Sequence, residues 1–261
     1  MTITNEQYHA DPAISASHLK AVMQSPYHYW SRYVDPDRKP VEPTAAMKLG
    51  SLAHCAILEP DGLLQRYGVC GARNTKAGKE QAAAMEAEGI EAVTSSDMAL
   101  ARSMAAAVRN HPVASALLAD GKAEQSFWWD DLPTGMRCKC RPDWYFGSTV
   151  VDIKTTTDAS PQAFARSVAT FAYHVQAAHY LAGLHGAERF VFVAVEKTYP
   201  HAVAVYELDD DALALGRTTR DNALDVIAGC QAANVWPGYS DTVQTLSLPK
   251  WASNPIQTET F

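Results

Sequence analysis

The chain has 261 residues, 47% of them hydrophobic and 20% charged, which are the proportions of an ordinary globular protein. A formal charge of −7 argues against indiscriminate coating of nucleic acid, so any DNA contact must come from a local basic surface. No apolar run has bilayer-spanning length and the N-terminus lacks a basic-then-apolar signal, so a cytoplasmic protein is expected.

In chain order, Ser15 or Ser17 can cap a helix running to about Tyr33, with Leu19, Val22 and Met23 on one side. Its aromatic second half (Tyr27, His28, Tyr29, Trp30, Tyr33) reads as packing rather than a base-stacking surface. Prolines at 36, 40 and 43 then break the chain. A second helix is expected from about Thr44 to Leu58, with Leu49, Leu52, Ala53, Ala56 and Ile57 as its buried stripe. His54 sits among these apolar neighbours, either as a satisfied core histidine or as a nitrogen ligand. The stretch carrying Arg73, Lys76 and Lys79 is either a local basic surface or a solvated loop. Helices rich in Ala and Met follow from about Gly78 to Leu118, with breaks near Gly89 and at His111-Pro112 and a cap at Ser95 or Ser96.

The period then changes. Residues 123–130, 135–146 and 149–155 read as an antiparallel meander. Helices over 161–170 and 173–185, strands over 189–197 and 202–208, and a long helix to about Ala233 complete the order. Asp209-Asp210-Asp211 suits the N-terminal dipole of that last helix. Residues 236–261 hold three prolines and no period, and are expected to be irregular, docked on the body or on a neighbouring subunit. The fold class is α/β of mixed α+β type, a central mixed β-sheet flanked by helices. One domain over 1–261 is expected: a mainly helical part over 1–120, a catalytic sheet with its helices over 121–235, and a tail. Cysteines at 55, 70, 138, 140 and 230 form no disulfide framework or metal-ligand spacing, and Cys138 and Cys140 read as small core residues.

The chemistry concentrates between 141 and 155. Side chains alternate on a strand, so Asp152 and Lys154 share one face, and Asp143 at the end of the preceding run can lean toward them. Two carboxylates beside one ammonium suit Mg²⁺-assisted phosphodiester hydrolysis. The alternative is a solvated ion pair of little consequence. Val150, Val151 and Ile153 weigh against it, because charges on a strand this apolar are costly unless paired or metal-bound. Gln176 and Tyr180 stand one helical turn apart on a single face.

Taken in order, Leu49-Gly50-Ser51-Leu52-Ala53-His54, Arg141-Pro142-Asp143, Asp152-Ile153-Lys154-Thr155 and Gln176-x-x-x-Tyr180 resemble the motif set of RecB-like nucleases of the PD-(D/E)-x-K superfamily. The likeness is greatest to phage-type RecE exonucleases (exonuclease VIII). Ile14-Ser15-Ala16-Ser17-His18-Leu19 and Trp251-Ala252-Ser253-Asn254-Pro255 add to it. The resemblance implies a restriction-endonuclease-like core with His54, Asp143, Asp152 and the Ile153 carbonyl as metal ligands, and Lys154 as the catalytic lysine. It further implies Gln176 and Tyr180 at the DNA, while Glu124, at the start of the first meander strand, is either a carboxylate behind the metal or at a second metal, or an exposed strand-end glutamate. By resemblance the activity is Mg²⁺-dependent 5′-to-3′ digestion of linear double-stranded DNA, with Mn²⁺ able to substitute. A ring-shaped homotetramer and a RecT-like annealing partner, in the cytoplasm of a bacterial host and of phage or prophage origin, belong to the same expectation. A DNA-end-binding module without turnover, and a nuclease for single-stranded DNA or within a larger complex, remain open alternatives.

Overall fold

The computed structural model describes residues 3–39, 41–72 and 74–249. The N-terminal region comprises α1 (Asn5–Ala10), α2 (Ala16–Gln24), α3 (Pro26–Tyr29) and a π turn over Trp30–Val34. Next come α4 (Ala45–Leu58), a 3-10 turn over Pro60–Gly62, α5 (Leu63–Arg66), β1 (Tyr67–Val69), α6 (Lys76–Ala87) and β2 (Glu91–Val93). α7 (Ser95–Asn110) and α8 (Pro112–Leu117) lead into β3 (Lys122–Ala123), β4 (Phe127–Asp130), β5 (Arg137–Cys140), β6 (Trp144–Phe146) and β7 (Thr149–Thr156). α9 (Pro161–Thr170), α10 (Tyr173–Gly183), β8 (Arg189–Glu196), β9 (Val203–Glu207) and α11 (Asp210–Ala233) follow.

The main sheet has the order β3-β6-β7-β8-β9; β7 and β8 are parallel and the other pairs antiparallel. β7 reads as an apolar run because it is central and covered on both faces. On one face Val151, Ile153, Val193 and Val195 pack against Leu52, Ala53 and Ala56 of α4 and Met98, Ala101, Met104 and Val108 of α7. Each fully buried Leu or Ile there contributes about 1.5–3 kcal/mol. On the other face Val150, Phe190, Phe192 and Ala194 meet Phe164 of α9 and Ala177 of α10. The β7–α9–α10–β8 crossover covers that second face. A third cluster binds α2 to α11 and β5 through Leu19, Val22, Cys138, Leu224 and Ile227. Cys138 and Cys140 are both fully buried.

Four expectations are corrected. The helix to Tyr33 breaks at Ser25, whose extended backbone ends α2 and whose hydroxyl accepts from the His28 N–H at 3.2 Å, with Pro26 as first residue of α3. The meander is not one sheet: β4 and β5 form a separate hairpin, while β3 and β6 join β7. The run 135–146 divides at Arg141-Pro142, where proline ends the ladder. The cap of α7 is Thr94, one residue before the expected serines, accepting from the Asp97 N–H at 3.1 Å. The parallel ribbon β1–β2 was not expected at all.

α4 begins at its Thr44 cap, and α11 begins at Asp209, which accepts from the Ala212 N–H at 2.8 Å. Asn234, left-handed at φ 52°, closes α11. Trp236 stacks on Tyr29 with ring centroids 5.3 Å apart, so the tail starts docked on the body. Val243 and Leu246 farther along are exposed, and residues 250–261, with the Trp251–Pro255 motif, lie outside the described residues.

Candidate active site at the C-terminal end of the central strand

β7 carries Asp152 and Lys154 on the face that α10 covers, with Ile153 turned to the opposite core. Asp152 is 2% exposed, and its Oδ2 lies 2.5 Å from Lys154 Nζ. Gln176 of α10 is also buried, donating from Nε2 to Asp152 Oδ1 at 2.6 Å. Lys154 Nζ donates to Gln176 Oε1 at 3.4 Å, closing a three-residue network. The same ammonium stands 4.6 Å from the centre of the Tyr173 ring, at the first residue of α10.

Asp143 approaches from the other side. Backbone pairing of β6 with β7 stops at Trp144–Val151, and beyond it the Asp143 carboxylate accepts the Ile153 N–H at 2.6 Å. The side chain thereby extends the ladder past the end of β6. His54 of α4 reaches the same oxygen, with Nδ1 3.4 Å from Asp143 Oδ2. Glu124 immediately follows the short β3, and its N–H donates to the Asp143 carbonyl at 3.2 Å. Its backbone is left-handed at φ 52°, a conformation that costs a non-glycine residue roughly 1–2 kcal/mol and that concentrates at functional sites. One donor atom from each of His54, Glu124 and Asp143 lies within 4.8 Å of the other two.

The electrostatics follow from burial and these contacts. Burial pushes the Glu124 carboxyl up to about 7, Asp143 adding to the shift and His54 opposing it. Burial acts against charge on Asp143, yet the His54 ring, Lys154 and the Ile153 N–H together hold its carboxyl below the usual range. Burial opposes the His54 imidazolium, and the Asp143 charge and hydrogen bond outweigh it, so its pKa is raised. For Asp152 burial wins over Lys154 and the carboxyl is raised. Lys154 is raised, because Asp152 and Asp143 outweigh burial, so the lysine is an ammonium at neutral pH. It therefore donates and neutralises charge, and does not begin as a base.

His54, Glu124, Asp143, Asp152, Lys154 and Gln176 gather about β7, with a division of labour that the sequence did not reveal. His54, Asp143 and Glu124 form one group, while Asp152 is held by Lys154 and Gln176. Glu124 does not start a strand; it follows one. Tyr180 is buried, and its hydroxyl donates to the Arg141 carbonyl at 3.2 Å, tying α10 to the turn before Asp143. In this arrangement both Gln176 and Tyr180 turn toward the protein. Arg141 itself is engaged elsewhere, donating to Ser126 Oγ at 2.8 Å and lying 4.2 Å over the Tyr8 ring. Lys76 and Lys79 are exposed on α6, Lys76 paired loosely with Glu80 at 3.8 Å, and Arg73 lies outside the described residues. Tyr173 and Lys20, which bring an aromatic face and a second lysine to the site, carried no local signal.

An imidazole and two carboxylates gathered this closely suit a divalent cation of the Mg²⁺ or Mn²⁺ kind, which takes oxygen ligands and tolerates one nitrogen. No helix among the described residues is long and apolar enough to cross a membrane. No curated protein matches the chain. A crystal structure from Eubacterium rectale, described as a putative exonuclease, superposes with a TM-score of 0.68 at 16% identity, covering 95% of this chain and 96% of that one; the likeness shows the fold. A second structure, SSO0001, reaches a TM-score of 0.30 at 19% identity over 56% of this chain and 70% of its own, too little to support an argument. The model of a family described as a PDDEXK-like domain of unknown function (DUF3799) matches residues 15–249. That match supports a nuclease, and the chain belongs to this PDDEXK-like family.

Proposed function

We propose that this protein is a Mg²⁺-dependent exodeoxyribonuclease that digests linear double-stranded DNA from the 5′ end, leaving 3′ single strands for annealing-type recombination. The observation that carries the reading is the meeting of the His54, Asp143 and Glu124 donors with the buried Asp152–Lys154 pair at one end of β7. His54, Asp143 and Glu124 would hold the cation, with Asp152 and the Ile153 carbonyl completing the set from β7; Mn²⁺ substitutes. When bound, the cation would supply charge for a phosphate oxygen and acidify a water molecule. Lys154, already an ammonium, orients the nucleophile and offsets charge developing on the phosphorane. Gln176 fixes Asp152, and Tyr180 fixes the turn that carries Asp143.

The RecE-like context extends the proposal to a ring-shaped homotetramer working with a RecT-like annealing protein in the cytoplasm of a bacterial host. A ring would reconcile the charge of −7 with DNA binding, since basic residues need only line its channel. The test is a linear duplex labelled at its 5′ or 3′ terminus, run beside closed-circular DNA. Early Mg²⁺-dependent release of the 5′ label, with the circle intact, is the expected result. Cleavage of the circle, or first release of the 3′ label, would overturn the exonuclease assignment or its direction. Tight binding to DNA ends without any turnover would make the protein an end-binding module.

A further inference from the structure

The active site holds a second lysine that the chemistry above does not use. Lys20, in α2, places its Nζ 5.1 Å from the centre of the Tyr173 ring, the ring that also faces Lys154 Nζ at 4.6 Å. Two cations thus share one aromatic side chain, and the helix carrying it places Gln176 against Asp152 one turn later. The two lysines differ in one respect. Lys154 has Asp152 at 2.5 Å, whereas among the described residues no carboxylate lies within ion-pair distance of Lys20 and no acceptor takes a hydrogen bond from it. Burial and the Lys154 charge pull the Lys20 ammonium down to about 8, with Asp152 opposing, so it is still largely cationic at neutral pH.

A half-buried ammonium with an aromatic face but no anion is costly by itself, and costlier beside a second cation. α2 is separated from β7 by more than a hundred residues, and its other neighbours on the inner side, Leu19 and Ala21, are fully buried, so the helix is anchored and the lysine's position is set.

We infer that Lys20 is a phosphate-binding residue of this site, gripping a substrate phosphate beside the one that Lys154 faces. This rests on the nuclease reading above. The phosphate is either a diester within the strand or the monoester at its terminus; both offer the same oxygens to an ammonium, and neighbouring phosphates advance only about 3.4 Å along the axis.

The test compares wild type, Lys20→Met and Lys20→Arg in full-length protein, on linear duplexes with phosphorylated or dephosphorylated ends, across a salt series in Mg²⁺. Lys20→Met should raise KM about tenfold, as expected for one charge-assisted contact, with a smaller change in kcat. Loss of one phosphate contact should also flatten the log–log salt dependence by roughly 0.9. Lys20→Arg should restore both. An effect on both kinds of end assigns an internal phosphate, and an effect confined to phosphorylated ends assigns the terminal one. Unchanged KM and salt slope on both substrates, with only a lower Tm, would overturn the inference and leave Lys20 a packing residue. If Lys20→Met folds poorly, Lys20→Gln gives the same comparison. If wild type cuts neither duplex, the nuclease reading fails, and equilibrium binding of the same duplexes in EDTA still decides the role of Lys20 through the salt slope.

Discussion

Replacing Lys154 by Met removes the charge that Asp152 faces at 2.5 Å and leaves a carboxylate that is 2% exposed. Breaking a buried pair by deleting one partner typically costs about 3–5 kcal/mol. Two features of the site lower this. The Gln176 amide still donates to Asp152 Oδ1 at 2.6 Å, and burial already favours protonation of the Asp152 carboxyl. The expected loss is therefore near the low end, about 3 kcal/mol, or roughly 6–12 °C in Tm for a chain of this size. Adding Asp152→Asn removes the stranded charge and should recover about 2 kcal/mol, a coupling far above the few tenths expected of independent sites. Urea and thermal unfolding in EDTA, across the four proteins of the cycle, measure this directly. A Lys154→Met protein as stable as wild type, or a cycle additive to about 0.5 kcal/mol, would refute the pairing on which the site is built.

Burial holds the imidazole of His18 down to about 3, with Lys139 adding to it, and that of His179 down to about 4, with Arg220 adding to it. Both are neutral in the fold, while the unfolded chain protonates them below about 6.5, so stability is full above that pH and falls as pH drops toward 4. The expected loss is about 2 kcal/mol for each at pH 5. Protonation of Glu124, Asp152 and His54 acts in the opposite sense over the same range. The loss is therefore read as a smaller drop (or larger gain) in urea midpoint from pH 7 to pH 5 in His18→Gln and His179→Gln than in wild type, and an identical shift in all three proteins would contradict it. A Cβ on Gly216 would stand 2.3 Å from the His174 carbonyl, where α11 crosses α10, whereas one on Gly229 meets nothing. Gly216→Ala should therefore destabilise by about 1–3 kcal/mol, and Gly229→Ala, in the same helix, should stabilise by about 0.5–1 kcal/mol. Glu124→Gln should weaken Mn²⁺ binding by at least about tenfold in calorimetry without lowering Tm; undiminished affinity would remove Glu124 from the cation site.

Legibility from the sequence varied with the range of the interactions. α4 and α11 were readable because cap, apolar stripe and stop lie within each helix: Thr44 and Asp209 at the starts, and the Leu52-to-Ile57 stripe in the core. β7 was readable because a continuous apolar run with two alternate charges has few structural explanations. β1 and β2 were not, since three residues cannot display a period. The meander failed at Pro142, where two strands of different sheets abut with no change in composition. Within the site, Asp152 and Lys154 were linked by local alternation, but the His54–Asp143 contact spans most of a hundred residues and the Lys20–Tyr173 contact more. Local pattern cannot see such pairs. Glu124 was visible as a carboxylate near a strand, but its left-handed backbone and its approach to Asp143 are tertiary facts.

The most direct test of the central claim is nucleotide release from a linear DNA duplex by wild type and Lys154→Ala, each in Mg²⁺ and in EDTA. Release by wild type in Mg²⁺ alone, abolished by Lys154→Ala, is the predicted result. Release that survives in EDTA, or a Lys154→Ala protein as active as wild type, would contradict a cation-assisted hydrolytic centre at the end of β7.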